Sequence, residues 1–259
     1  MAGFAGLVRN RSFRHHMGLY ICAYTAMDVV MLLFAYYLSY VLVRPGMYSV
    51  AMGTMMGCEI LSLLLWVRLA NRRGKGRSYA VGVSIWVLGL LMTLFLNSSS
   101  SLLAILAVCA LLGIGLSAGV FVPWAVLPSV TDVGELIDGK RRAGLYAGAM
   151  TLARKLTQGA LAVPLVGVAL SLLGFGDGSS AQSANTDGLR LLLVFGTVPI
   201  LILGIFFAGR FPVTPDSHGI LRDELDRRKA GKDMLPESES TVKKVCEELS
   251  GLDWEALGG

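Results

Sequence analysis

Six apolar stretches fill nearly all of residues 17–208, and they constrain the fold more than any other feature of the chain. Each is long enough to cross a bilayer, because an apolar helix needs about 20 residues to span the hydrocarbon. Their approximate limits are 17–43, 46–69, 78–97, 101–127, 143–174 and 188–209. Charged residues are 16% of the chain, whereas soluble domains carry about 25%. The sequence therefore predicts an all-α membrane protein with a six-span domain over 17–209, and it excludes a soluble enzyme core.

The positive charge of the connecting segments falls on alternate sides of the predicted bundle. Twelve Lys and Arg residues lie on one side, and only Arg44 and Arg190 lie on the other. Because Lys and Arg in short loops mark the cytoplasmic side, we expect residues 1–16 and the tail 210–259 to be cytoplasmic. We also expect a multi-pass protein of the cell (inner or plasma) membrane. The net charge of +5 does not indicate nucleic acid, since the basic residues sit beside the spans.

Two segments outside the spans have their own patterns. The external loop 175–187 is rich in Gly and Ser, so we expect it to be flexible. In the tail, 217–231 and 238–250 both have helical spacing, and the second places Val242, Val245, Cys246 and Leu249 on one face. We interpret the tail as solvated amphipathic helices, with a dedicated partner site as the alternative.

Small residues and prolines recur within the spans. Glycines at four-residue spacing can let neighbouring helices approach closely, and they occur as Gly53 and Gly57, Gly115 and Gly119, and Gly144 and Gly148. Prolines can kink or break a helix, and they lie at Pro123, Pro128, Pro164 and Pro199. Packing is the default explanation for the glycines, whereas the prolines suit a protein that rocks between conformations but also occur in static bundles.

Four ionisable side chains lie at membrane depth: Asp28, Glu59, Arg154 and Lys155. Such a group costs about 2.5–3.5 kcal/mol on insertion scales, so it is expected to face a cavity or a partner. Thr151 lies one turn before Lys155 and Gln158 nearly one turn after, so the three share a helix face. An ammonium beside a hydroxyl and an amide can bind polyol or anionic oxygens, which predicts a substrate-binding face. The alternative is an internal ion pair with Asp28 or Glu59 that only fixes packing.

The acidic groups leave two interpretations open. Asp28 is either the partner of a basic residue or a group on the transport pathway, and we include it with Trp124 in the predicted substrate site. Glu59, midway along the second span, is either a coupling proton carrier or a salt-bridge partner. We find no nucleophile–base pair, metal-ligand cluster or phosphate loop, so an enzyme, a metal site and a bound cofactor are not predicted.

Several motifs carry a family resemblance. The stretch RLANRRGKGR (68–77) resembles a conserved-type loop of the major facilitator superfamily. Five further segments, in the right order, resemble the glycoside–pentoside–hexuronide:cation symporter family, the melibiose-carrier-like branch of that superfamily. They are NRSFR (10–14), YYLSYV (36–41), PWAVLPSVTDVGELIDGKRRAGLYAG (123–148), ARKL (153–156) and FPVTPDSHGILRDELDRR (211–228). The resemblance covers the chain to about residue 230.

The resemblance implies a fold of twelve spans in two pseudo-symmetric halves and sugar or glycoside transport by alternating access, driven by Na⁺ or H⁺. It places Lys155 and Thr151 in the substrate region. It also implies a cytoplasmic gate formed by Asp132 with Arg72, Arg73, Arg141 and Arg142. Two positions depart from the family pattern in this gate, since Ser129 and Ala143 stand where acids are usual.

The chain matches only the second half of that fold, beginning just before its seventh span. The family's cation-coordinating acids belong mainly to the other half. We therefore expect the C-terminal half of a sugar or glycoside:cation symporter, either as a fragment or with an N-terminal six-span partner. Its other expected partners are a small-molecule substrate and the lipid bilayer. The alternatives are a carrier of lysolipids or other amphiphiles with the same fold, and a non-transporting membrane assembly or regulatory protein.

Overall fold

The computed structural model describes residues 2–175, 185–231 and 236–257, and its regular elements in these ranges are helices. Most of the loop predicted to be flexible, 175–187, lies outside the described residues. The α-helices are α1 (Ala2–Arg9), α2 (Arg11–Tyr36), α3 (Tyr48–Arg73), α4 (Lys75–Thr93), α5 (Leu102–Asp138), α6 (Ala143–Thr157), α7 (Val163–Leu172), α8 (Thr186–Phe195), α9 (Val198–Gly209), α10 (Pro215–Lys229) and α11 (Pro236–Ser250). Two π-helical segments extend α2 over Tyr37–Val41 and join α6 to α7 over Gln158–Ala162.

Six helical segments of the described chain are long and apolar enough to cross a membrane. They are Arg11–Val41, Pro45–Arg73, Lys75–Thr93, Leu102–Asp138, Ala143–Leu172 and Thr186–Gly209. This confirms the predicted all-α class with six spans. The fifth span consists of α6 and α7, and the sixth consists of α8 and α9. The helices of the first and fourth spans extend beyond the predicted limits, to Arg11 at one end and to Asp138 at the other.

The first span begins at Arg11 because Asn10 caps it. The side-chain oxygen of Asn10 accepts a hydrogen bond from the backbone N–H of Phe13 at 3.1 Å, which satisfies a helix-end donor. Its amide nitrogen donates to the carbonyl of Val130 at 3.2 Å and to the hydroxyl of Tyr146 at 3.1 Å. One buried side chain therefore joins the start of α2 to α5 and α6.

The helix α5 continues through Pro123 and Pro128 without a break. Proline lacks the N–H of a helical hydrogen bond, but such gaps are tolerated in membrane helices when neighbouring groups compensate. The carbonyl oxygen of Pro123, which is not an acceptor that either proline leaves unpaired, lies 2.8 Å from Nε2 of the buried His16 and so joins α5 to α2. The helix ends at Asp138, and the left-handed φ of 67° at the following Gly139 lets the N–H of Gly139 reach the carbonyl of Glu135 at 2.8 Å.

Helices α3 and α4 both pack closely against α5. A Cβ at Gly113 would overlap the carbonyl oxygen of Met55 on α3, and a Cβ at Gly115 would overlap the backbone of Trp86 on α4. By contrast, a Cβ at any glycine of the pairs on α3 and α6 would meet nothing within 4 Å: Gly53, Gly57, Gly144 and Gly148. Each span has an apolar window of 18 residues, and the share of that window buried by the rest of the protein differs between spans. It is 17% in the second and fifth spans and 61% in the first. These two spans are therefore the least covered by the rest of the described chain, and we call their exposed surface the open side.

The tail helices α10 and α11 pack on one end of this bundle. Oγ of Ser12 donates to the carbonyl of Leu249 at 2.6 Å, and Nζ of Lys229 lies 2.9 Å from Oε1 of Glu135. Cys246 and Leu249 are fully buried, and burial raises the pKa of the Cys246 thiol to about 12. The predicted tail helices are present, but the apolar face of the second lies against the protein instead of in solvent. We call this end, which also carries the α3–α4 and α5–α6 connections, the basic end.

Candidate functional site

A polar cluster lies between the first and fifth spans, centred on the buried Asp28. Nε2 of Gln158 donates to Oδ1 of Asp28 at 3.1 Å. Nη2 of Arg154 lies 3.7 Å from the same oxygen, as an ion pair. Asp28 is 7% exposed, and a carboxylate this deep requires a compensating cation. Arg154, which we did not include in the predicted site, supplies that cation.

Aromatic side chains extend this cluster to Trp124 on α5. The guanidinium carbon of Arg154 lies 4.3 Å from the ring centroid of Tyr24, which is a cation–π contact. The hydroxyl of Tyr24 accepts a hydrogen bond from Nε1 of Trp124 at 2.8 Å. The structure thus brings together three residues of the predicted substrate site, Asp28, Gln158 and Trp124.

Tyr24 was missed by the sequence reasoning, although the sequence contains a signal for it. Tyr20, Tyr24 and Asp28 follow one another at four-residue spacing, which places them on one helix face. The rings of Tyr20 and Tyr24 have centroids 4.5 Å apart. Two tyrosines, Tyr20 and Tyr24, on the same helix face as the membrane carboxylate of Asp28 are a sequence signal for aromatic side chains beside a polar site.

Lys155 and Thr151 lie on the exposed surface of α6 and form no hydrogen bond or ion pair with this cluster, although Lys155 is near enough to Asp28 to interact with it electrostatically. The hydroxyl of Thr151 donates to the backbone carbonyl of Ala147 at 3.0 Å. In the described part of the chain, Lys155 forms no ion pair or hydrogen bond. Arg154 and Lys155 are about 100° apart around the helix, so one turns into the bundle and the other faces the open side.

Glu59 on α3 is half-buried. Its backbone carbonyl accepts hydrogen bonds from the hydroxyls of Ser62 at 3.1 Å and Ser117 at 2.8 Å. Among the described residues, its carboxylate has no ion pair or hydrogen-bond partner. We interpreted Glu59 either as a coupling proton carrier or as a salt-bridge partner, and the described residues supply no salt bridge to it.

A second cluster surrounds Asp132 at the basic end. Oδ1 of Asp132 lies 3.0 Å from Nη2 of Arg141, and Oδ2 lies 2.9 Å from Nε2 of His218 on α10. Nζ of Lys75 donates to Oγ of Ser129 at 2.7 Å. Ser129, at the position where an acid was expected from the resemblance, is therefore still bonded to a lysine.

The other predicted gate residues are placed differently. Arg72, Arg73 and Arg142 are exposed, and none forms an ion pair within the described ranges. His218 and Lys75 were not in the predicted gate, although both lie in segments that carried the family resemblance. Both also line a cavity of about 250 Å³ with Asn71, Ser129 and Thr214. The cavity connects the α3–α4 turn, α5 and the start of the tail.

Comparison with known proteins agrees with this architecture. A family model described as MFS/sugar transport protein matches residues 2–215. An uncharacterized symporter from Synechocystis is 28% identical over 233 residues, which are 85% of this chain and 41% of the relative. A putative sulfoquinovose importer from Escherichia coli is 26% identical over 221 residues, 85% of this chain and 46% of the relative.

The sphingosine-1-phosphate transporter of Xenopus tropicalis is 26% identical over 168 residues, 63% of this chain and 32% of the relative. The chain spans less than half the length of these curated relatives. It belongs to the MFS/sugar transport protein family, within the melibiose-carrier-like branch of the major facilitator superfamily, and its six spans correspond to one half of that fold.

Proposed function

We propose that this chain is the C-terminal half of a secondary active transporter that moves a sugar or glycoside by alternating access, driven by Na⁺ or H⁺. The single observation that carries the proposal is the exposed, unpaired Lys155 within a membrane span. A lysine facing lipid at this depth would cost about 2.5–3.5 kcal/mol. An N-terminal six-span half that covers this side would enclose Lys155 in an aqueous path and remove that cost.

The open side of the bundle supports a second half as the partner. The second and fifth spans are the least buried, and both carry glycine pairs at which an added Cβ would meet nothing within 4 Å among the described residues. Glycines at this spacing let membrane helices approach each other closely. The same two spans carry Lys155 and Glu59, so a half docked here would enclose both polar groups.

The substrate we propose is hydroxylated and anionic. The ammonium of Lys155 suits a sulfonate, phosphate or carboxylate, and the hydroxyl of Thr151 one turn away suits a polyol oxygen. Two relatives are named for sulfoquinovose, a sulfonated sugar, and for sphingosine-1-phosphate. Both molecules combine an anionic group with at least one hydroxyl, which agrees with this pair of side chains.

A lysolipid or another amphiphile is the second candidate substrate. Leu152 and Leu156, which flank Lys155, are 51% and 61% exposed. Apolar side chains beside an ammonium suit a molecule that has an acyl chain and a charged headgroup. The relative named for sphingosine-1-phosphate supports the same candidate.

We assign coupling to Glu59 rather than to Asp28. Asp28 is already neutralised by Arg154 and held by Gln158, whereas the carboxylate of Glu59 has no partner in the described structure. An unpaired membrane carboxylate can take up a proton or contribute to a Na⁺ site. We further propose that the basic end is cytoplasmic and that Asp132, Arg141 and His218 form part of the inward gate.

Uptake in proteoliposomes tests the proposal. The chain is co-reconstituted with its N-terminal six-span half, and uptake of labelled sulfoquinovose, a neutral glycoside and a lysolipid is measured under Na⁺ and H⁺ gradients. We expect gradient-driven uptake of an anionic substrate that Lys155→Ala reduces to background. Lys140→Ala, an exposed lysine outside the spans, should leave uptake unchanged.

Each other result contradicts a specific part of the proposal. Uptake that survives Lys155→Ala would overturn the assignment of the substrate site. Preference for the neutral glycoside would overturn the anionic substrate, and preference for the lysolipid would select the second candidate. No uptake of any substrate by a correctly assembled pair would favour a non-transporting assembly or regulatory role.

A further inference from the structure

A basic cleft lies at the basic end, between the α3–α4 connection and the segment that leads from α9 into the tail. Its volume is about 1,020 Å³. Four basic residues line it, Arg72, Arg73, Lys75 and Arg77, against one acidic residue, Asp216. The three arginines are exposed and form no ion pair or hydrogen bond within the described residues. The described chain therefore leaves most of this positive charge without an anion.

The backbone fixes the shape of this cleft. Gly74 has a φ of 89°, a left-handed conformation that favours glycine, and it separates α3 from α4. A Cβ at Gly76 would lie 2.6 Å from the carbonyl oxygen of Ala208, so the first turn of α4 lies against the end of α9. The basic side chains consequently project from a turn held against the bundle.

The wall of the cleft is apolar where it meets the spans. Ala80, Val81 and Ala208 line it together with Phe211. Val81 is 49% exposed, and Leu88, seven residues further along α4, is 45% exposed. Because residues seven apart share a helix face, an exposed strip leads from the cleft along α4 into the membrane-spanning region. It is apolar except for Ser84, whose hydroxyl donates to the carbonyl of Ala80 at 2.8 Å.

We propose that this cleft binds the phosphate of an anionic phospholipid, with an acyl chain lying along α4. Arginine forms paired, charge-assisted hydrogen bonds to phosphate oxygens. Basic pockets between membrane helices suit lipid headgroups, and each Lys or Arg near an anionic membrane surface adds to the attraction. A soluble anion would contact only the basic residues and not the strip along α4. A basic cleft that continues into this strip therefore favours a lipid over a soluble anion. The proposal depends on membrane insertion and not on the proposed transport activity.

Native mass spectrometry of the purified full chain tests this. The protein in detergent is given an equimolar mixture of phosphatidylglycerol and phosphatidylcholine, and the retained lipids are counted. We expect phosphatidylglycerol to be favoured by about tenfold or more, as three cations near an anionic headgroup imply. The variant Arg72→Gln/Arg73→Gln/Arg77→Gln should lose this preference. The control Arg9→Gln/Lys140→Gln/Arg222→Gln removes three exposed charges elsewhere and should keep it.

Several outcomes would overturn the proposal. These are equal retention of the two lipids, an unchanged preference in the cleft variant, and equal losses in the cleft and control variants. Displacement of phosphatidylglycerol by millimolar glycerol 3-phosphate would identify a site for soluble phosphate instead. Circular dichroism checks that the cleft variant is folded. If the cleft variant is not folded, Arg77→Glu alone gives the same comparison at an exposed position. An unchanged lipid preference in Arg77→Glu would also overturn the proposal.

Discussion

Nε2 of His218 lies 2.9 Å from Oδ2 of Asp132, and this contact joins the first tail helix to the end of the fourth span. The other carboxylate oxygen of Asp132 pairs with Arg141 at 3.0 Å. Asp132 is 8% exposed, so its charge is largely removed from water and depends on these two partners. One carboxylate thus holds both the α5–α6 connection and the tail at the basic end.

Asp132→Asn should loosen α10 from the bundle. The substitution removes the charge from both contacts, and hydrogen bonds to charged groups contribute about 1.5–3 kcal/mol. We expect the backbone amides of α10 that follow Pro215 to exchange with deuterium about tenfold faster or more. Asp226→Asn, at an exposed position on the same helix, is the matched control. Equal exchange in the two variants would show that Asp132 does not anchor the tail.

Glu224 should make the docked tail sensitive to acid. Its side chain is 1% exposed and accepts hydrogen bonds from Arg227 and Arg228, each at 2.7 Å. Burial alone would raise the pKa of this carboxyl, but the two guanidinium groups outweigh it and hold the pKa below its ordinary value of 4.5. A lowered carboxyl pKa contributes stability above the ordinary value, and this stability disappears as the pH falls through the lowered pKa.

Thermal unfolding followed by circular dichroism, from neutral pH to about pH 3, measures this contribution. Glu224→Gln should lower the melting temperature at neutral pH, and the difference from the unmodified chain should vanish in acid. Glu248→Gln, an exposed acid on α11, should show neither effect. A difference that stays constant with pH would mean that Glu224 acts through packing and not through its charge.

The six spans could be predicted because each depends on local composition alone. A run of about 20 apolar residues identifies a membrane helix without knowledge of its neighbours. The ends of the helices could not be predicted in this way, because they depend on contacts between residues that are far apart in the sequence. The start of α2 at Arg11 depends on Asn10, whose amide also bonds to Val130 and Tyr146 far along the chain.

The partners within the candidate site were harder to predict. Arg154 and Lys155 are adjacent in sequence, and hydropathy does not show which of them turns towards Asp28. That choice depends on the rotation of α6 against α2, where Tyr24 stacks on the guanidinium of Arg154. The contact between Asp132 and His218 joins residues 86 positions apart, so local spacing carries no signal for it.

Asn10→Ala should destabilise the whole bundle. It removes the cap of α2, at a cost of about 1 kcal/mol. It also removes two buried hydrogen bonds of about 1 kcal/mol each and leaves the carbonyl of Val130 without that partner. We expect a loss of about 2–3 kcal/mol, read as a lower melting temperature in detergent. Asn71→Ala, at an exposed position, should change it little, and equal shifts in both variants would contradict the role of Asn10.

Two glycine substitutions should separate packing within this half from packing against a partner. Gly113→Ala would drive its Cβ into the carbonyl of Met55, and overpacking of this kind costs about 1–3 kcal/mol. Gly57→Ala meets nothing within 4 Å, so it should leave the melting temperature of the isolated chain unchanged or slightly raised. If α3 packs against an N-terminal half, however, Gly57→Ala should weaken co-purification of the two halves.

An unchanged melting temperature for Gly113→Ala would contradict the close approach of α3 and α5. Unchanged co-purification for Gly57→Ala would place the partner interface on a different face, because a methyl group at a close helix crossing cannot be accommodated without separating the backbones.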